Sequence, residues 1–203
     1  ELLQVLGLLA PGSAVRRISY RNWFVEYAGL DPFVADIGQL RGCIEDRQIT
    51  LHRSAGTDAP GADLSTDELL ALIQTHIIEP QLADAGFLLV HDFPASQASL
   101  ARIRDEQPPV AERFELYANG IELANGFHEL DDSRQQLQRF VDEQRQRALK
   151  GMKKIKIDQN LVDALAHCFP YCSGVDVDFH SFPTLPSTNL ELLQVLAFPF
   201  ERA

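Results

Sequence analysis

From Glu112 to Leu130 (ERFELYANGIELANGFHEL) apolar and polar positions alternate: Phe114 and Leu116 fall on one side, Glu115 and Tyr117 on the other. That period of two predicts a half-buried strand. Asn119-Gly120 comes next, and both residue types tolerate the positive φ that a two-residue hairpin turn requires. A return strand is predicted from Ile121, carrying Glu122, Ala124 and Asn125, with Gly126 free to bend or to approach a ligand. Such a turn pairs Ala118 with Ile121 and brings Glu115 and Glu122 near one another, with Glu129 further along.

Around this hairpin the pattern is helical. Ser19 is placed to cap a helix through Tyr27 that ends at Gly29, with Trp23, Phe24 and Tyr27 as its buried face. A Leu30-Asp31-Pro32 turn follows. Residues 41–63 lack periodicity and end rich in Gly and Pro, which reads as a variable surface excursion. Ser65, three residues before Glu68, predicts a capping box, and Leu69, Leu72, Ile73 and His76 then share a face. Residues 86–92 (GFLLVHD) predict a short strand, and Ser96 is placed to cap a short helix through Ala101. Asp131-Asp132-Ser133 opens a long polar helix to Lys150 with a sparse apolar stripe at Leu137, Phe140, Val141 and Ala148. A further helix is expected over Asp158 to Phe169, closed by Pro170. Terminal helices are expected at Glu1 to Leu9 and Glu191 to Leu196. Their shared ELLQVL is a coincidence of two similar helices, since a repeat architecture recurs at a fixed period.

At 203 residues the chain builds one domain or part of one. A net charge of −11 argues against an extended nucleic-acid-binding surface. The exception is local: four lysines gather between Lys150 and Lys156, a solvated loop or a contact for an acidic partner. Cys43, Cys168 and Cys172 are too few for a disulfide framework. The pair Cys168 and Cys172, with His167 beside it, lacks a second cluster to complete a zinc site, so these read as packing thiols. With no signal-like start and no long apolar span, a cytoplasmic location and no membrane partner are expected. The absence of an initiating Met fits a chain that begins inside a longer protein.

Two close carboxylates repel unless a cation or protons intervene. Glu115 and Glu122 therefore suggest Mg²⁺, shared with substrate phosphates, and a third carboxylate would suit a substrate ammonium. A hairpin whose glutamates merely face water is the plain alternative.

The same stretch resembles the hairpin of class II lysyl-tRNA synthetases. It is closer still to the related stand-alone ligases that attach (R)-β-lysine to elongation factor P. The segments FPASQASLARI (Phe93 to Ile103), VAERFELY, GIELANGFHEL and IDQNL (Ile157 to Leu161) carry the likeness, which runs from about Ser19 to Gly174 and resumes at LAFPFERA. The resemblance implies an α+β fold: an antiparallel sheet flanked by helices, part of a class II synthetase catalytic domain spanning residues 1–203. It implies ATP and Mg²⁺ as cofactors and lysine or (R)-β-lysine as substrate. A lysine of elongation factor P is the implied acceptor, and the intact family member is a homodimer. A tRNA acceptor fits the phrases less well. It further implies that Glu115 and Glu122 bind Mg²⁺ and ATP and that Leu123 borders ATP. Asn125 and Glu129 would hold the amino acid, Gly126 would give the substrate room, and the Phe93 to Gln97 loop would border the amino-acid pocket.

The sequence departs from the family in two places. The family's first two signature motifs lie upstream of everything present. Where the third motif is expected, the chain reads DVDFHSFPTLPSTN from Asp176 to Asn189. By ungapped count Asp178 stands for the family's glycine and Ser181 for its ATP-binding arginine, and Pro183 and Pro186 suit a helix interior poorly. The chain as written is therefore expected not to form an aminoacyl-adenylate by itself. The alternatives are a non-catalytic amino-acid-binding or regulatory remnant and a fragment of a lysyl-tRNA synthetase.

Overall fold

The computed structural model describes residues 12–50, 64–167 and 169–178. The expectations for Glu1 to Leu9, for 51–63, for Cys168 and for the third motif beyond Asp178, with Ser181, Pro183, Pro186 and the last helix, lie outside these residues.

Strand β1 (Val15–Ser19) leads directly into helix α1 (Tyr20–Ala28). Ser19 caps α1 by accepting from the Asn22 N–H, and Gly29, at φ 76°, ends it in the left-handed conformation. Tyr20, Trp23 and Phe24 are fully buried, while Tyr27 is only half-buried. Helix α2 (Ile37–Asp46) overlaps the stretch expected to be an irregular excursion. Asp36 and Gln39 form a reciprocal capping box at its start, and Leu40 and Ile44 are buried at i, i+4 spacing. Gly38 and Gly42 had hidden this helix, because glycine is a poor helix former.

Helix α3 (Thr66–Ile73) starts with the expected Ser65–Glu68 capping box. A π-turn (Gln74–Ile78) continues it and a 3₁₀ turn (Glu79–Leu82) ends it. The π-turn shifts the buried face to Ile77 and Ile78 and leaves His76 exposed. Strand β2 (Phe87–Pro94) follows. The expected helix from Ser96 to Ala101 is only a 3₁₀ turn over Ala95–Gln97, since the Ser96 hydroxyl donates to Asp67 instead of capping.

Strands β3 (Ile103–Arg104), β4 (Val110–Ala118) and β5 (Ile121–His128) come next, then α4 (Ser133–Leu149), α5 (Gln159–Ala166) and β6 (Ser173–Val177). Along α4 only Gln136 is buried; Leu137 and Phe140 are half-buried, and Val141 and Ala148 are exposed.

The fold is α+β, a sheet in the order β1-β2-β4-β5-β6 with β3 on the β4 edge region and helices packed against it. It is not wholly antiparallel. β1 and β2 run parallel, joined by a crossover that includes α1, α2 and α3, as parallel neighbours require. One sheet face carries the main core, where Leu88, Val90 and Tyr117 meet Tyr20, Trp23, Phe24, Leu69 and Ile73. The Tyr20 and Phe24 rings stack at 4.5 Å, and Trp23 lies 5.3 Å from Tyr117. The other face carries Leu116 and Ala124 with half-buried Val15, Phe87, Leu89 and Val177.

Candidate functional site

The β4–β5 hairpin turns at Asn119 (φ 49°) and Gly120 (φ 84°), pairing Ala118 with Ile121 and Tyr117 with Glu122. The Asn119 side chain also accepts from the Gly86 N–H, which ties the turn to the start of β2. Gly120 is required twice over, by its positive φ and because a Cβ there would lie 2.7 Å from the Glu79 carbonyl oxygen.

Beyond the turn the register changes. Leu116 pairs with Ala124 and Glu115 with Asn125, so Leu123 is the additional residue of a β-bulge. Without the bulge, Asn125 would fall on the face opposite Glu122. With it, Glu115, Tyr117, Glu122, Asn125 and Phe127 share the core-bearing face. Gly126 is thereby moved to the other face, opposite Phe114. A Cβ on Gly126 would sit 2.4 Å from the Phe114 ring, so the space its missing side chain leaves is filled by Phe114.

Glu115 is 3 % exposed. Its carboxylate accepts from the Arg113 guanidinium (2.5 Å) and from the Tyr117 hydroxyl (2.5 Å). Arg113 also donates to Asn125 Oδ1 (3.3 Å) and to the Gln97 carbonyl (3.1 Å), and stacks over Phe93 at 4.7 Å. The Phe93 to Gln97 loop thus acts on this face through Arg113. Gln74, placed by the π-turn, donates to the Tyr117 oxygen (3.0 Å) and to Glu79 (3.1 Å). Neither Arg113 nor Tyr117 was singled out from sequence. The available signal was that both stand two residues from Glu115 on an alternating strand.

Burial raises the Glu115 carboxyl above its ordinary range, and the Arg113 charge and the Tyr117 hydrogen bond oppose that shift. Desolvation and then the Glu115 charge push Glu122 up to about 7. Burial and the charge of Glu115 raise the Tyr117 hydroxyl. These are the responses of a carboxylate pair held in a half-buried setting.

Glu122, Leu123, Ala124, Asn125, Asp176, Val177 and Asp178 line a cavity of about 490 Å³. Asp176 pairs with Asn125 on β6, and the Asp178 N–H donates to the bulge carbonyl of Leu123 (2.8 Å). Glu129 does not line this cavity. It lies along the same face, with Oε1 where a Cβ of Gly174 would stand, and burial raises its carboxyl as well.

Among the described residues no three His, Cys, Asp or Glu side chains are arranged to hold a metal alone. Mg²⁺ does not need such a cage, because it is commonly bound by one or two carboxylates with water and substrate phosphates. Both Glu115 oxygens are taken, by Arg113 and by Tyr117, whereas Glu122 opens on the cavity. The carboxylate that fits Mg²⁺ delivered with a phosphate ligand is therefore Glu122, with the Glu115 charge behind it. Cys43 and Cys172 are free thiols. Among the described residues no helix is long and apolar enough to cross a membrane.

The family model for tRNA synthetases class II (D, K and N) matches residues 11–202. This match covers the hairpin, the bulge and both walls of the cavity, and the six-stranded sheet with its flanking helices is consistent with part of that catalytic domain. The chain therefore belongs to the class II tRNA synthetase family, whose members are amino-acid ligases.

Proposed function

We propose that the core-bearing face of the hairpin is the amino-acid and ATP site of a ligase that activates lysine or (R)-β-lysine. In this reading the intact protein transfers the activated amino acid to a lysine of elongation factor P. The observation that carries it is the bulge at Leu123, which sets Glu122 and Asn125 together on the rim of a cavity behind which Glu115 is buried. Glu122, with Glu115 behind it, would hold Mg²⁺, and Leu123 would border the nucleotide. The ion supplies charge neutralisation at the phosphates. Arg113 fixes Glu115 and Asn125 at once, so the acidic and amide groups keep one geometry. Asn125 and Glu129 would hold the amino acid, with Glu129 taking the substrate ammonium.

One observation favours a second reading, amino-acid binding without adenylation. Asp176 and Asp178 line the same cavity as Glu122, and their charge opposes a triphosphate. Amino-acid-dependent pyrophosphate exchange, run on the intact protein with lysine and with (R)-β-lysine, separates the two. Exchange that is abolished by Glu122→Gln supports the ligase. Saturable amino-acid binding without exchange supports the binding remnant.

A further inference from the structure

The segment that leaves α4 reverses the charge of the molecule. From Arg147 to Lys156 (RALKGMKKIK) five residues are cationic and none is acidic, in a chain of net charge −11. This segment is held in place. Gly151, at φ 65°, turns it back along α4. The Met152 N–H donates to the Arg147 carbonyl (2.9 Å), the Arg147 guanidinium donates to the Lys153 carbonyl (3.3 Å), and Gln144 Nε2 donates to the Ile155 carbonyl (2.6 Å). Lys150 Nζ is bound to Glu68 at 2.6 Å, which ties the turn to the start of α3.

These bonds use backbone carbonyls and one lysine. They leave Lys153, Lys154 and Lys156 exposed. Among these cationic residues stand three large apolar side chains in the open: Leu149 at 76 %, Met152 at 49 % and Ile155 at 58 % exposure. Ile155 also lines a groove of about 280 Å³ together with Phe140, Glu143, Arg147, Lys156 and Asp158. A merely solvated loop has use for its lysines but not for three exposed apolar side chains within seven residues, which gain free energy only when covered.

We propose that Leu149 to Lys156 is a docking ridge for an acidic protein segment that carries apolar side chains of its own. Carboxylates of the partner meet Lys153, Lys154 and Lys156, and its apolar residues cover Leu149, Met152 and Ile155. Charge complementarity selects an acidic partner. The apolar residues select protein over nucleic acid, whose single-stranded forms are gripped by aromatic stacking platforms; no aromatic residue occurs from Arg147 to Lys156. The ridge shares no residue with the cavity at Glu122, so this inference does not depend on the ligase reading.

The test is an amide-resolved NMR titration of the full chain. The probes are a synthetic peptide alternating Glu and Leu, its Lys-and-Leu counterpart, and a single-stranded RNA oligonucleotide. The acidic peptide is expected to give saturable shifts confined to Leu149 to Ile157. Its affinity should fall at least about tenfold on raising salt from 0.1 M to 1 M, as the screening length contracts from about 10 Å to about 3 Å. The joint variant Lys153→Glu, Lys154→Glu, Lys156→Glu should weaken it as much, and Leu149→Ser with Ile155→Ser about fivefold or more. An unchanged amide spectrum elsewhere shows that the variants fold. Shifts outside the ridge, indifference to the charge reversal, or tighter binding of the RNA would overturn the proposal. So would concentration-dependent shifts at the ridge without peptide, which would identify a second copy of the chain as the occupant.

Discussion

Arg113 and Glu115 stand two residues apart on β4, and their ion pair is the most deeply placed charge pair of the site. Removing the cation would leave a carboxylate at 3 % exposure without its compensating charge. Arg113→Ala should therefore destabilise the fold by about 3 kcal/mol, read by urea unfolding near neutral pH; a loss under about 0.5 kcal/mol would mean that the pair carries no such role. Glu122 gives a second prediction. Its folded pKa, about 7, is raised above the ordinary 4.5. The associated stability is thus fully present below pH 4.5 and is lost as pH rises through 7. Glu122→Gln, neutral throughout, should be more stable than the parent at pH 8 and nearly equal to it at pH 4.5. Because Glu122 opens to solvent, the gain should be no more than about 1 kcal/mol. Mg²⁺ presented with a phosphate ligand should lower the Glu122 titration midpoint and release a proton, measurable by calorimetry in buffers of different ionisation enthalpy.

At the scale of elements, the bulge on β5 decides which side chains meet. Gly126 and Phe114 are its signature on the opposite face. Gly126→Ala should cost about 1–3 kcal/mol by overpacking, and Phe114→Ala in the same chain should recover part of that cost. A thermal-denaturation cycle of the two single variants and the double variant measures this coupling, and strict additivity would contradict the contact. The same elements mark where sequence reading succeeds. The caps at Ser19 and Ser65 and the Asn119-Gly120 turn were legible because each is built from residues within a few positions of one another. The bulge was not, since the Asp178 N–H that bonds its carbonyl comes from just past β6, more than fifty residues away. The parallel β1–β2 pair was hidden for a similar reason: alternation reports which face is buried but not which strand lies alongside. Helix α2 carries both signals at once: Asp36 and Gln39 spell its capping box, while Gly38 and Gly42 lower its helix propensity.

For the whole molecule, the sheet separates two environments. One face packs aromatic residues from α1 around Tyr117 and continues into the cavity at Glu122 and Asn125. Asp176 and Asp178 line that cavity, and in the proposed reading their charge opposes a nucleotide there. Asp178→Gly should tighten the binding of Mg²⁺-ATP about tenfold, close to 1.4 kcal/mol, in an equilibrium titration; unchanged affinity would mean that the nucleotide does not approach this wall. The central claim is that this face selects an amino acid with a distal ammonium group. Calorimetry with lysine, (R)-β-lysine and norleucine on the parent chain and on Glu129→Gln tests it most directly. The account predicts saturable binding of lysine or (R)-β-lysine, at least about tenfold tighter than norleucine and weakened at least about tenfold by Glu129→Gln, as loss of a charged hydrogen bond requires. Equal affinity for norleucine, equal affinity of the two proteins, or no binding of either amine would contradict it.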